Sequence, residues 1–129
     1  DERKAAGKIA RWQKIAQAAA KQSRRAVVPQ VGEVMTMSQA IAFSRRCKVR
    51  LIPYELAEGM ERTRQLIEGL RPGEDVAVFI GPEGGFEREE VEAAALDGIS
   101  PVTLGKRILR TETAGMAVLS LIMYQLEDR

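Results

Sequence analysis

The sequence predicts an α/β protein with a mostly parallel sheet flanked by helices on both faces. Three observations predict it. An alternating stretch at residues 47–52 and short apolar runs at 76–80 and 101–104 have the length and patterning of strands. Longer stretches at 61–70, 87–97 and 114–126 repeat their apolar residues at helical spacing. Each strand-like run ends in a polar or glycine-rich loop, at 53–55, 81–86 and 104–113. Strands alternating with helices imply crossover connections and a parallel sheet. Loops gathered at the carboxyl ends of such strands are where α/β proteins hold small ligands.

Taken in order, residues 2–24 have a helix-forming composition rich in Ala, Lys, Arg and Gln. Ile9, Trp12, Ile15 or Ala16, and Ala19 recur at helical spacing and predict one buried stripe. Trp12 on that stripe reads as core before it reads as a base-stacking group. Ala26-Val27-Val28 predicts a short strand ended by Pro29, and Ser38 predicts the cap of a brief helix through Phe43. The alternation from Cys47 to Ile52 predicts a half-buried strand, with Cys47, Val49 and Leu51 on one side. Cys47 then reads as a small core residue, not a nucleophile. The helix at 61–70 turns Leu66, Ile67 and Leu70 inward and ends in the turn Arg71-Pro72-Gly73-Glu74. Strand 76–80 leads to a helix at 87–97 stopped by Gly98. After strand 101–104, the last helix directs Ala114, Ala117, Val118, Leu121 and Ile122 to the core, extended by Met123 and Leu126. Met116 and Met123 suit packing or a dimer seam.

Composition removes several classes of function. A chain of 129 residues is one domain with room for a core, and 45% hydrophobic with 29% charged residues is a soluble globular balance. A single Cys forms no internal disulfide and suits a reducing, cytoplasmic setting. The absence of His removes imidazole bases and the commonest metal ligand, so no metal site is expected. No apolar run approaches a membrane span, and no signal peptide is visible. Charge is uneven. Residues 1–25 hold eight Lys/Arg against two Asp/Glu, whereas residues 26–129 hold twelve against sixteen. The basic end has the footprint of a polyanion-binding segment, and equally that of a solvated helix face.

Two loops carry the chemistry. Gly81-Pro82-Glu83-Gly84-Gly85-Phe86 is a constrained turn. It lacks both the phosphate-loop and the dinucleotide patterns. Its carboxylate suits a ligand with positive charge or donor groups, such as an amine, a sulfonium or a ribose. The second stretch, Leu104-Gly105-Lys106-Arg107-Ile108-Leu109-Arg110-Thr111-Glu112-Thr113-Ala114, sets charges and hydroxyls beside an apolar pair at a strand-to-helix crossing. Alone it reads as well as a surface loop, with Thr111 capping the helix and Glu112 favoured by its dipole. Together, Ile80 to Phe86 and Leu104 to Ala114 closely resemble two signature motifs of the bacterial small-subunit (16S) ribosomal RNA uridine-N3 methyltransferases, of the SPOUT (trefoil-knot) class. Arg11-Trp12-Gln13-Lys14-Ile15, Ala19 to Arg25, and Leu51-Ile52-Pro53-Tyr54-Glu55 match as well, so the likeness spans nearly the whole chain. Lys21, where the family has an acidic residue, and Lys106 are mild departures.

The resemblance implies S-adenosylmethionine as cofactor, bound in a C-terminal trefoil knot. It implies a homodimer acting on small-subunit ribosomal RNA or the assembled small subunit. It implies that backbone groups around Leu51, Ile80, Gly81, Pro82, Gly84, Leu104, Gly105, Ile108, Leu109, Thr113 and Ala114 hold the cofactor. Lys14, Arg24, Arg25 and Arg110 would meet RNA. Uridine N3 must lose its proton to become nucleophilic. Arg110 would stabilise the resulting anion, and Glu83 or Glu112 would accept the proton or orient Arg110, a carboxylate or water being the remaining base. The family carries an N-terminal PUA-like RNA-binding domain that this sequence lacks, so residues 1–129 are expected to be the methyltransferase domain. Two alternatives keep distinct signatures. A knotted methyltransferase for transfer RNA or another RNA position shares the cofactor site. A non-catalytic RNA-binding module predicts salt-sensitive RNA binding without cofactor.

Overall fold

A computed structural model describes residues 1–55, 57, 59–105 and 110–127. The chain forms two compact units, Asp1–Thr36 and Met37–Arg129. The first holds α1 (Glu2–Gln22). The second holds α2 (Met37–Ser44), β1 (Val49–Pro53), α3 (Glu61–Glu68), β2 (Val76–Val78), α4 (Arg88–Leu96), β3 (Ser100–Val102) and α5 (Thr111–Leu126).

The three strands among the described residues form one parallel sheet in the order β2-β1-β3. Val49 pairs with Val76 on one edge of β1, and Leu51 pairs with Ser100 on the other. Parallel neighbours need crossover connections, which α3 supplies between β1 and β2 and α4 between β2 and β3. The expected α/β class with a parallel sheet is therefore found. Alternation along β1 separates two cores. Leu51 packs with Ile67, Leu70 and Val102, with Ile122 and Leu126 of α5 against them. Ile52 packs with Ile41 of α2, Val91 and Ala94 of α4, and Ile99. The sheet is thus covered on both faces, by α3 and α5 on one and by α2 and α4 on the other. Strand β1 is central and buried on both sides, with Leu51 1% and Ile52 0% exposed, not half-buried as its alternation suggests.

Helix ends follow local chemistry. Glu87 and Glu90 form a reciprocal capping box at the start of α4. At its end, Gly98 adopts φ 94° and donates to Ala95 O, while Ile99 N donates to Ala94 O, completing a Schellman turn. A Cβ at Gly98 would lie 3.1 Å from the Arg50 guanidinium, so glycine is needed there for space as well as for φ. The guanidinium of Arg50 bonds Asp97 Oδ2 at 2.8 Å, the Asp97 carbonyl and Ser44 Oγ, tying β1 to the ends of α4 and α2. Arg45 adds a second bond to Asp97 at 2.7 Å. Hydrogen bonds from Arg45 and then Arg50, reinforced by their charges, hold the Asp97 carboxyl down at about 2.

Four expectations are corrected. Residues 26–28 form no strand, and Val27 is 72% exposed, because that segment has no ladder partner. Helix α2 begins at Met37, so Ser38 lies inside it and does not cap it. The inner face of α1 is rotated from the predicted stripe: Ile9, Gln13, Ala16 and Ala20 are the covered positions, while Trp12 and Ile15 are 43% and 59% exposed. Gln13 explains the shift, accepting from Val31 N at 2.7 Å and donating to Pro29 O at 2.9 Å. On α5, Val118, Ile122 and Gln125 face inward, whereas Leu121 and Met123 are outward. Buried Gln125 donates to Glu68 O at 3.0 Å, a polar core contact that hydrophobic spacing alone does not reveal.

Candidate active site

The carboxyl ends of β1, β2 and β3 open into one cleft of about 300 Å³. Residues 53–55 after β1 form its floor, residues 80–86 after β2 one wall, and Thr103 to Gly105 with Arg110, Thr111 and Ala114 the other. The ladder carries the chain into it, since Phe79 N donates to Leu51 O and Tyr54 N to Val102 O just past the strands.

The glycine-rich wall is a tight turn. Gly85 N donates to Pro82 O at 2.8 Å, and Gly85 has φ 80°. A Cβ at Gly81 would sit 3.1 Å from Phe86 Cδ2, 3.2 Å from Phe86 N and 3.3 Å from Gly85 C, so the loop folds against the bare backbone of Gly81. The opposite wall is held by hydroxyls. Thr103 Oγ1 donates to Gly105 O at 2.9 Å and accepts from Gly105 N at 3.2 Å, with Gly105 at φ 122°. The Thr103 carbonyl accepts from Thr63 Oγ1 of α3 at 2.8 Å.

The cleft brings together most of the residues singled out in the sequence. Glu83, Arg110, Ile80, Gly81, Pro82, Gly84, Leu104, Gly105 and Ala114 all line it. Three expected members do not. Leu51 lies in the core, because its side chain faces α3 and α5. Glu112 and Thr113 are exposed in the first turn of α5 and are not part of the cleft lining. Ile108 and Leu109 lie outside the described residues. Thr111 is the first residue of α5, not its cap. Arg110 occupies the cap position without capping the helix through its side chain, and its carbonyl accepts from Ala114 N at 2.7 Å. Lys14, Arg24 and Arg25 are exposed in the first unit. Arg24 has φ 61°, where a Schellman turn ending α1 ordinarily takes glycine: Arg24 N donates to Lys21 O and Arg25 N to Ala20 O.

Sequence reading placed the loops 53–55 and 81–86 at the site but gave Tyr54, Glu55, Gly85 and Phe86 no individual role, and it left Thr103 inside the strand. The signal for Tyr54 and Glu55 was their place at the end of the central strand, between both loops. The cleft lining therefore includes two carboxylates, Glu55 and Glu83, and one guanidinium, Arg110, with the apolar groups Ile80, Pro82, Phe86, Leu104 and Ala114. Apolar walls with a few convergent polar groups suit a flat heterocycle attached to a polar, partly cationic tail. Among the described residues, no three His, Cys, Asp or Glu side chains form a metal-binding group.

Residues 1–123 match the family described as RNA methyltransferase domain. The chain belongs to that family. Among its RNA methyltransferase relatives, the ribosomal RNA small subunit methyltransferase E of Bacillus subtilis is 37% identical over 131 residues, covering 98% of this chain and 51% of the relative. That of Mesomycoplasma hyopneumoniae is 33% identical, covering 88% and 47%. The chain thus spans about half the length of the curated relatives it matches. Among solved structures, the ribosomal RNA small subunit methyltransferase E of Neisseria gonorrhoeae, bound to S-adenosyl methionine, superposes with a TM-score of 0.78 at 34% identity, covering 95% of this chain and 50% of that one. A Legionella pneumophila protein with bound cofactor SAM gives a TM-score of 0.84 at 32% identity, covering 96% and 49%.

Proposed function

We propose that this chain is a methyltransferase domain that binds S-adenosylmethionine in the strand-end cleft and methylates N3 of a uridine in small-subunit ribosomal RNA. One observation carries the reading. The two motifs, separate in sequence, form opposite walls of a single cleft, and solved relatives of the same fold hold that cofactor. The residues fit it. The volume is that of a small nucleoside-sized site. Ile80, Pro82, Leu104 and Ala114 offer apolar walls to adenine, and Gly81 and Gly84 let the backbone approach. Glu55 and Glu83 supply the negative charge that a sulfonium, an ammonium or a ribose diol recruits.

When bound, the cofactor supplies an electrophilic methyl group, so the chain itself has two tasks. It must orient the uracil and handle the N3 proton. Arg110, on the cleft wall, stabilises the imide anion left when that proton departs. Glu83 lines the same cleft and is the better-placed acceptor, because Glu112 is not part of the wall. Lys14, Arg24 and Arg25 supply backbone contacts to RNA. The reading includes a C-terminal knot and a homodimer. Met116, Leu119, Met123 and Tyr124 leave an apolar stripe on the outer side of α5 that a second copy would cover. It also includes a cytoplasmic location with the ribosomal substrate; no described helix is long and apolar enough to cross a membrane.

The test is methyl transfer from labelled S-adenosylmethionine to small-subunit ribosomal RNA, assembled small subunits and transfer RNA, followed by nucleoside analysis. 3-Methyluridine in small-subunit RNA is the expected product. Methylation confined to transfer RNA, or at a position other than N3, contradicts the substrate reading. Salt-sensitive RNA binding with no cofactor binding contradicts the enzyme reading.

A further inference from the structure

We propose that Thr63, a buried α3 residue outside the cleft wall, is a positioning residue for the cofactor, acting through Thr103 and Gly105. The proposal rests on the methyltransferase reading of the cleft. Thr63 is 2% exposed. A buried threonine in a helix commonly satisfies its hydroxyl on a carbonyl one turn back. Thr63 instead donates across the fold to Thr103 O at 2.8 Å, forty residues away in sequence.

Thr103 is where the ladder of β3 stops, so its carbonyl needs a donor from elsewhere. Thr63 provides one. The Thr103 hydroxyl then closes on both the N–H and the C=O of Gly105, at 3.2 and 2.9 Å. Gly105 stands at φ 122°, a region that side-chain-bearing residues avoid, so its conformation depends on such restraint. Thr103, Leu104 and Gly105 all line the cleft. The three residues form a relay from α3 to a positive-φ glycine of the cleft lining. Thr63 thus fixes a loop it does not share a surface with.

Valine keeps the shape of threonine and deletes the hydroxyl, whereas serine keeps the hydroxyl and deletes a methyl. This pair separates hydrogen bonding from packing. The experiment is calorimetric titration of the chain and its Thr63→Val, Thr63→Ser and Thr103→Val variants with S-adenosylmethionine, beside thermal melts. Thr63→Val and Thr103→Val are expected to weaken binding roughly 5- to 10-fold, with Thr63→Ser within about twofold of the unaltered chain. A purely structural role moves only the melting temperature. Folded Thr63→Val with unaltered cofactor affinity overturns the proposal. If Thr63→Val does not fold, Thr63→Ala, which also deletes the hydroxyl that bonds the Thr103 carbonyl, decides in the same way. Failure of the unaltered chain to bind the cofactor at all overturns the methyltransferase reading. The Gly105 amide then decides the relay, faster hydrogen exchange in Thr63→Val supporting it and unchanged exchange overturning it.

Discussion

Gly81 shows how a single missing side chain shapes the cleft. A methyl there meets backbone at 3.2 and 3.3 Å as well as the Phe86 ring, and backbone cannot swing aside as a flexible side-chain tip can. Gly81→Ala is expected to weaken S-adenosylmethionine binding by roughly tenfold or more, read by calorimetry, because the loop must shift to admit it. Arg110 has the opposite profile. Arg110→Ala is expected to keep cofactor affinity within about threefold and to lower methyl transfer by roughly 100- to 1000-fold if its partner is, as proposed, the anion formed during reaction. Arg24 makes a third prediction. Its φ of 61° costs an L-residue about 1 kcal/mol that glycine would not incur. Arg24→Gly should therefore raise unfolding free energy by about 0.5 kcal/mol after the entropy of a freer unfolded chain is counted, while RNA affinity falls. The glycine wall was legible in the sequence because close glycines and a proline constrain a loop by local chemistry alone. Glu55 and Tyr54 were placed at the site with their loop but given no individual role, because what they face depends on which strand is central, a non-local property.

The elements were legible to the extent that their signals are local. The run of Val and Ile at 76–80 and the Gly98 stop each follow from a few adjacent residues. The inner faces of α1 and α5 were legible in part: Ile9, Ala16, Val118, Ile122 and Leu126 are covered as their spacing predicts, but Gln13 anchors residues 29–31 and Gln125 bonds Glu68 O at inward positions that apolar spacing does not assign. Strand β1 and helix α4 are joined by the cluster of Arg45, Arg50 and Asp97, which sets a pH dependence. The Asp97 carboxyl is held at about 2 when folded, below its ordinary 3.8, so the folded state favours the ionised form. That contribution is complete above about pH 4 and is lost as pH falls toward 2. Urea unfolding between pH 5 and 2 should show a steeper loss of stability for the unaltered chain than for Asp97→Asn; equal slopes would remove Asp97 from the account of acid stability. In the same strand Ile52, fully buried against α2 and α4, should cost about 2–5 kcal/mol when cut to alanine.

For the whole molecule, the decisive feature is strand order. Placing β1 between β2 and β3 brings the loop after each strand to one edge, and two motifs some twenty residues apart become facing walls. Alternating strands and helices predicted the class of sheet, but order is set by long-range pairing that no local pattern encodes. Charge is also arranged at this scale, with the basic excess confined to residues 1–25 and the cleft in the second unit. If Lys14 and Arg25 contact phosphates, Lys14→Ala and Arg25→Ala should each lower RNA affinity with little sequence preference and reduce the salt slope by about one. The central claim is that the strand-end cleft is a cofactor site. Calorimetric titration of the chain with S-adenosylmethionine, beside Gly81→Val and Arg110→Ala, tests it most directly. Saturable binding abolished in Gly81→Val and retained in Arg110→Ala is the expected result. A folded, unaltered chain that takes up no S-adenosylmethionine would contradict it.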